Sequence, residues 1–149
     1  MMEKGMMRSV KLLTGLAAIL LMGWIWHGPA GRGEAFAEQL DAGAKTAVAA
    51  TELPGIAVRL ARHPIRRIAI LSGPADDIQR HGMGSQPGLN GYVGAVPGIE
   101  GVRWADEKGG DSTPPLLAET SYLLVLAYGL GLAVGWFLFG RRKRQSFLD

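Results

Sequence analysis

Gly55-Ile56-Ala57-Val58-Arg59-Leu60-Ala61-Arg62-His63-Pro64-Ile65-Arg66-Arg67-Ile68-Ala69-Ile70-Leu71-Ser72-Gly73 is the stretch that decides the fold class. Ile56, Val58 and Leu60 alternate with Ala57, Arg59 and Ala61, the two-residue period of a half-buried strand. His63-Pro64-Ile65 turns the chain. Ile68 and Ile70 then alternate with Arg67, Ala69 and Leu71 in a second strand. Two strands joined by a short turn pair most simply as an antiparallel hairpin. Arg59, Arg62, Arg66 and Arg67 lie on and beside it, and the alternation sets Arg59 and Arg67 opposite the apolar positions.

Upstream, Phe36, Leu40, Ala44 and Val48 recur every four residues, with Glu38, Gln39, Asp41 and Lys45 between them. That is the apolar stripe of an Ala-rich helix, stopped by Leu53-Pro54-Gly55. Downstream, Ser72-Gly73-Pro74-Ala75-Asp76-Asp77 opens a second helix, where Pro suits the first turn and the aspartates suit the positive end of the dipole. The spacing predicts a break or loop over Gly82-Met83-Gly84-Ser85-Gln86-Pro87-Gly88. Leu89, Tyr92, Val93 and Val96 resume a helical face and Pro97-Gly98 ends it. Val102 and Trp104 mark a third short strand. The order helix, strand, strand, helix, strand is α+β.

The two ends are of another kind. Tyr122 to Gly140 carries no charge and is followed by Arg141, Arg142, Lys143 and Arg144. About 20 uncharged residues make a helix of roughly 30 Å, the thickness of a bilayer's hydrocarbon core. The cationic block marks the end that stays in the cytoplasm. At the other end, Lys4, Arg8 and Lys11 precede an apolar segment, Leu12 to Trp26. Ala35-Phe36-Ala37 resembles a signal-peptide cleavage site. Its distance from the apolar segment, and the interfacial pair Trp24 and Trp26, favour an uncleaved anchor. In both cases the chain after His27 is exported. The expected organisation is an N-terminal anchor or signal over residues 1–33 and an extracytoplasmic domain over 34–106. A flexible linker over 107–115, a transmembrane helix over 116–140 and a basic cytoplasmic tail over 141–149 follow. The expected location is a bacterial-type inner membrane, with residues 27–120 periplasmic and both termini cytoplasmic when the first segment is retained.

The chain has 149 residues and a net charge of +3, but residues 27–120 hold nine Lys or Arg against eleven Asp or Glu. The exported part is therefore near −2, and the excess of positive charge belongs to the ends. Membrane orientation accounts for it without nucleic acid. The absence of cysteine excludes disulfides and thiolate chemistry. His27, His63 and His81 are widely spaced and lack a metal-ligand rhythm. Ser72 is not in a nucleophile elbow, and no phosphate-binding glycine motif follows a strand. Nothing here predicts an enzyme, a cofactor or a metal. Gly131 and Gly135 form a small-residue pair in the C-terminal helix, the spacing that lets helices approach closely, so self-association through that helix is one expectation.

The order of elements and several local motifs resemble the BON domain. An amphipathic Ala-rich helix leads into Gly55-Ile56-Ala57-Val58. Ile68-Ala69-Ile70-Leu71-Ser72-Gly73-Pro74-Ala75-Asp76 resembles the family's strand that turns into its second helix, and Val96-Pro97-Gly98-Ile99-Glu100-Gly101-Val102 resembles its closing motif. The likeness covers residues 34–106. It is also similar to the membrane-anchored BON-like region that precedes OmpA-type domains in some envelope proteins. No such domain follows here, and the Gly82–Gly88 interruption and the His-Pro hairpin turn depart from the pattern. The resemblance implies a small αββαβ sandwich, helices on one sheet face, that binds rather than catalyses. Its implied partners are anionic phospholipid, an envelope protein or other copies. Arg59, Arg62, Arg66 and Arg67 are the residues expected to meet lipid phosphates. The reading is an inner-membrane-anchored envelope adaptor. The rival is a small accessory subunit of a membrane complex that acts through its transmembrane helices.

Overall fold

The computed structural model describes residues 2–107 and 113–140. The basic tail of Arg141, Arg142, Lys143 and Arg144, and most of the expected linker, lie outside the described residues. The protein is mixed α+β, with a long helix towards each end and a small sheet between. The elements are α1 (Met2–His27), α2 (Arg32–Ala49), β1 (Ala57–Arg62), β2 (Ile65–Ser72), α3 (Asp77–His81), β3 (Gly82–Met83), β4 (Gln86–Pro87), α4 (Leu89–Gly94), β5 (Gly101–Trp104) and α5 (Leu116–Phe139). They form two compact units, Trp24–Glu119 and a second that joins Met1–Gly23 to the chain from Thr120 onward.

In the first unit the sheet order is β1-β2-β5, with β2 antiparallel to β1 and parallel to β5. The hairpin expected from the 55–73 stretch is present, its turn at His63-Pro64. Val58 stands beside Leu71, Leu60 beside Ala69, and Leu71 beside Trp104. These side chains form one face, packed against Ala37, Leu40, Ala44 and Val48 of α2 and Leu89 and Val93 of α4. The helix stripe falls as the four-residue spacing requires, except that Ala37, not Phe36, is the fully buried member of the first turn.

Two expectations change. The second strand is not half-buried: Ile68, Ala69, Ile70 and Leu71 are all buried. Because β2 is central, Ile68 and Ile70 on its second face are covered as well. The glycine-rich interruption is a small hairpin, with Gly82 beside Pro87 and Met83 beside Gln86. It splits the expected second helix into α3 and α4. Asp76 is the N-cap of α3, its carboxylate accepting from Gln79 N–H at 2.7 Å while the Gln79 side chain accepts from Asp76 N–H, a capping box. Gly73 has φ 131°, and a Cβ there would lie 2.3 Å from the Gly55 carbonyl oxygen, so only glycine fits the turn out of β2.

Trp104 is the largest fully buried side chain. Its indole N–H donates to Asn90 Oδ1 at 2.9 Å, and the Arg80 guanidinium lies 4.1 Å from its ring centroid. Arg80 also forks onto Asp106 at 2.8 and 3.1 Å and donates to the Ala75 carbonyl. Its bond to Asp106 raises the Arg80 pKa and lowers that of Asp106. One arginine thus ties the start of α3 to the end of β5.

In the second unit, α1 and α5 pack antiparallel. Gly15 leaves room for Tyr128, whose hydroxyl donates to the Leu12 carbonyl at 2.9 Å, and Gly23 leaves room for Leu124. The apolar segments Ser9–His27 and Leu116–Phe139 are long and apolar enough to cross a membrane. At 1.5 Å per residue they span about 28 and 36 Å. Leu123, Leu126, Leu130, Leu138 and Phe139 of α5 are exposed, apolar on all sides rather than along a stripe. The helix begins at Leu116, behind Pro114 and Pro115.

Two measurements check this packing. Leu124→Cys removes the methyl that approaches Gly23, so Gly23→Cys with Leu124→Cys should cross-link on oxidation, against a clean cysteine-free background. Gly23→Cys with Gly131→Cys should not. Asn90→Ala leaves the buried indole N–H without its acceptor and should cost about 1–3 kcal/mol in urea unfolding of the detergent-solubilised chain. Asn90→Asp keeps the acceptor and should lose less.

Candidate functional site

The hairpin's four arginines have separate fates. Arg62 Nη1 pairs with Glu34 Oε2 of α2 at 3.0 Å, and both side chains are well exposed. Such a pair contributes about 0–1 kcal/mol and yields easily to a competitor. Arg66 donates to the Thr113 carbonyl at 2.8 Å. Arg67 pairs with Glu100, just before β5, and with Glu119 in the first turn of α5 at 2.7 Å. Arg67 therefore does not share an open face with Arg59. It follows the alternation of Ala69 and Leu71, and the two carboxylates hold its guanidinium. The Arg59 side chain is exposed and makes no hydrogen bond or ion pair among the described residues.

Arg59 gains a companion that the sequence reading did not single out. Ile70 of β2 stands between Arg59 of β1 and Arg103 of β5 in the register. Ile70 is 5% exposed, yet it lies outside the core cluster on the helix side. The two arginines flank it on the opposite face; Arg59 is exposed, whereas Arg103 is half-buried with its Nε out of water. Arg103 could have been read as the residue between Val102 and Trp104, on the face those two do not use.

At the hairpin end a hollow of about 470 Å³ is lined by Asp41, Arg59, Arg62, His63, Ile70 and Arg103, with Leu60, Ala61 and Pro64 completing its walls. Asp41 is its acidic member and has a structural task. Leu60 N–H lies on the outer edge of β1 and donates to Asp41 Oδ1 at 3.0 Å, and Lys45 Nζ pairs with Asp41 Oδ2 at 2.8 Å. An edge strand is thereby capped by a side chain rather than left open. Burial, the largest influence on the Asp41 carboxyl, pushes its pKa up. The bonds from Lys45 and Leu60 and the charges of Lys45 and Arg62 together outweigh it, and the pKa lies below its ordinary value.

What the arrangement offers is an exposed cation, Arg59, at the rim of a hollow. Among the described residues no group of His, Cys, Asp or Glu is placed to hold a metal. His81 and Asp77, 3.0 Å apart, are neighbours on one exposed helical turn. Gly131 and Gly135 have no atom within 4 Å of a built Cβ, so the contact between α1 and α5 does not use them. It uses Gly15 and Gly23 instead, which the apolar segment carries as its breaks. Compared with protein-family models, with curated proteins and with solved structures, the chain matches none.

The Asp41 cap has a pH consequence. Its folded-state pKa is depressed, so the stability it contributes is complete above about pH 4 and is lost as the pH falls through the lower folded value. Asp41→Ala should cost about 1–3 kcal/mol at pH 7 by leaving Leu60 N–H without its acceptor. Asp41→Asn keeps the acceptor, loses the charge, and should flatten the acid limb of the unfolding curve.

Proposed function

We propose that the protein is a membrane-anchored envelope adaptor, a BON-like module held between two spanning helices that docks on anionic phospholipid through the open face bearing Arg59. The observation that carries this is Arg59, whose exposed side chain has no polar partner among the described residues, in a chain whose two longest helices each carry a segment apolar enough to cross a membrane. Cations stand at the outer ends of both apolar segments, Lys4, Arg8 and Lys11 on one and Arg141, Arg142, Lys143 and Arg144 on the other. The positive-inside rule then puts both ends in the cytoplasm and residues 32–107 outside. The antiparallel packing of Gly15 on Tyr128 and Gly23 on Leu124 suits that hairpin topology. Only four residues separate α1 from α2, a reach of about 14 Å at full extension. A tether so short raises the effective concentration of a nearby lipid surface, so weak contacts suffice.

The exported part is near −2 overall, so its attraction to an anionic surface is local to the arginine face rather than a property of net charge. Each cation close to an anionic surface contributes about 1 kcal/mol. Native mass spectrometry of the detergent-extracted full chain tests the reading. Phosphatidylglycerol and phosphatidate should be retained over phosphatidylcholine, and less so at high salt. The basic ends hold anionic lipid by themselves, so the deciding quantity is the difference between the native chain and Arg59→Gln. A several-fold loss supports lipid docking by this face. Equal retention removes it and leaves an envelope protein as the partner.

A further inference from the structure

The geometry points to the outer edge of β1 and the hollow beside it as a docking groove for an extended segment of a partner protein, one that carries a branched apolar residue near a cation. This surface is separate from the Arg59 side chain and does not rest on the lipid reading. β1 is an edge strand, paired only with β2. The Leu60 N–H donates to Asp41 instead of to β2, so it marks the outward-facing main-chain groups. Such groups recur at every second residue, and the register is regular from Ala57 to Leu60. The N–H and C=O of Val58 therefore face the same edge. Asp41 covers Leu60 alone. Among the described residues no side chain or loop hydrogen-bonds the main chain of Val58.

Beside that edge a hollow of about 270 Å³ lies between the end of α2 and the start of β1, with Val48, Leu53, Ile56 and Val58 as its apolar lining. Its volume is below the usual range of small-molecule sites, so it suits one branched side chain of a longer ligand. The strand edge selects the form of that ligand. An extended chain offers free N–H and C=O groups to an edge, whereas a helix has already paired its own. Glu52 sets the charge. It stands on the rim, exposed, and its carboxylate has no partner among the described residues. Lys45 on the same rim is held by Asp41 at 2.8 Å, so the uncompensated charge of the rim is negative. Glu52 also has φ 55°, the one positive value of a non-glycine residue among the described residues. Glycine would take that conformation with less strain, yet a carboxylate is displayed there. Side chains of an added strand alternate between its faces, so a cation two residues from the apolar anchor shares the anchor's face and meets Glu52.

The probe is the fluorescently labelled peptide Thr-Val-Thr-Val-Thr-Lys-Thr, titrated by anisotropy into the full chain in neutral detergent, where no anionic lipid competes. Saturable binding that weakens about threefold or more when the peptide's Lys is changed to Glu supports the groove. That preference should disappear in Glu52→Asn, since Asn tolerates the left-handed backbone and the variant removes charge rather than fold. Methylating alternate amides of the peptide tests strand addition directly. One set should abolish binding and the other should preserve it, because only one set faces β1. Ala49→Trp, at an exposed position on the wall of the hollow, fills it and should abolish binding at an unchanged unfolding transition. If that variant unfolds, the two methylated sets decide alone, since they leave the protein untouched. Absence of saturable binding, or equal effects of the two sets, overturns the proposal and leaves the lipid test at Arg59 standing. Self-association of the chain that Ala49→Trp removes also overturns it, since a second copy then occupies the edge.

Discussion

Burial of β2 on both faces is the constraint from which the rest of the sheet-bearing unit follows. The strand is hydrogen-bonded on both edges, to β1 and to β5. Ala69 and Leu71 sink into the helix layer through Val58, Leu60 and Trp104. Ile68 and Ile70 point to the other face and are buried as well. Apolar area withdrawn from water contributes about 25 cal/mol per Å² wherever its cover comes from. On that second face Arg59 and Arg103 stand next to Ile70 in the register.

Charge is distributed over the rest of the unit with the same economy. Arg80 lies on the Trp104 ring and forks onto Asp106. Arg67 is shared by Glu100 and Glu119. Asp41 is spent on a strand edge. These groups hold loops and edges in a domain too small to do so by core size. Arg59, with no polar partner among the described residues, stands out against that background. In a unit with a slight negative excess, an exposed arginine of that kind is a distinct feature of the surface.

The element order was legible because period-two and period-four patterns were strong in Ile56–Leu60, Ile68–Ile70 and Leu40–Val48. Alternation alone could not say that β2 is central, since burial on its second face depends on a strand, β5, that arrives thirty residues later. For the same reason it misassigned Arg67, whose position is set by carboxylates at Glu100 and Glu119, distant in sequence. Arg59 was legible and Arg103 could have been, from its place between Val102 and Trp104. The role of Asp41 was not, because a side chain capping an edge N–H nineteen residues away leaves no local signature. In the apolar helices the Gly-x-x-x-Gly spacing drew attention to Gly131 and Gly135. The contact within the unit depends instead on which glycines face the partner helix, and Gly15 and Gly23 do.

Because Arg59 and Arg103 flank Ile70 in the register, stability and the proposed recognition are coupled at this face. Truncation to Ala or Ser removes charge and apolar cover together, and lost binding would then report either. Glutamine retains most of the stem, and lysine retains stem and charge while losing the planar fork. A loss graded from arginine through lysine to glutamine, at constant unfolding free energy, is the signature of recognition by the guanidinium. A loss that tracks unfolding instead marks these arginines as cover for an isoleucine.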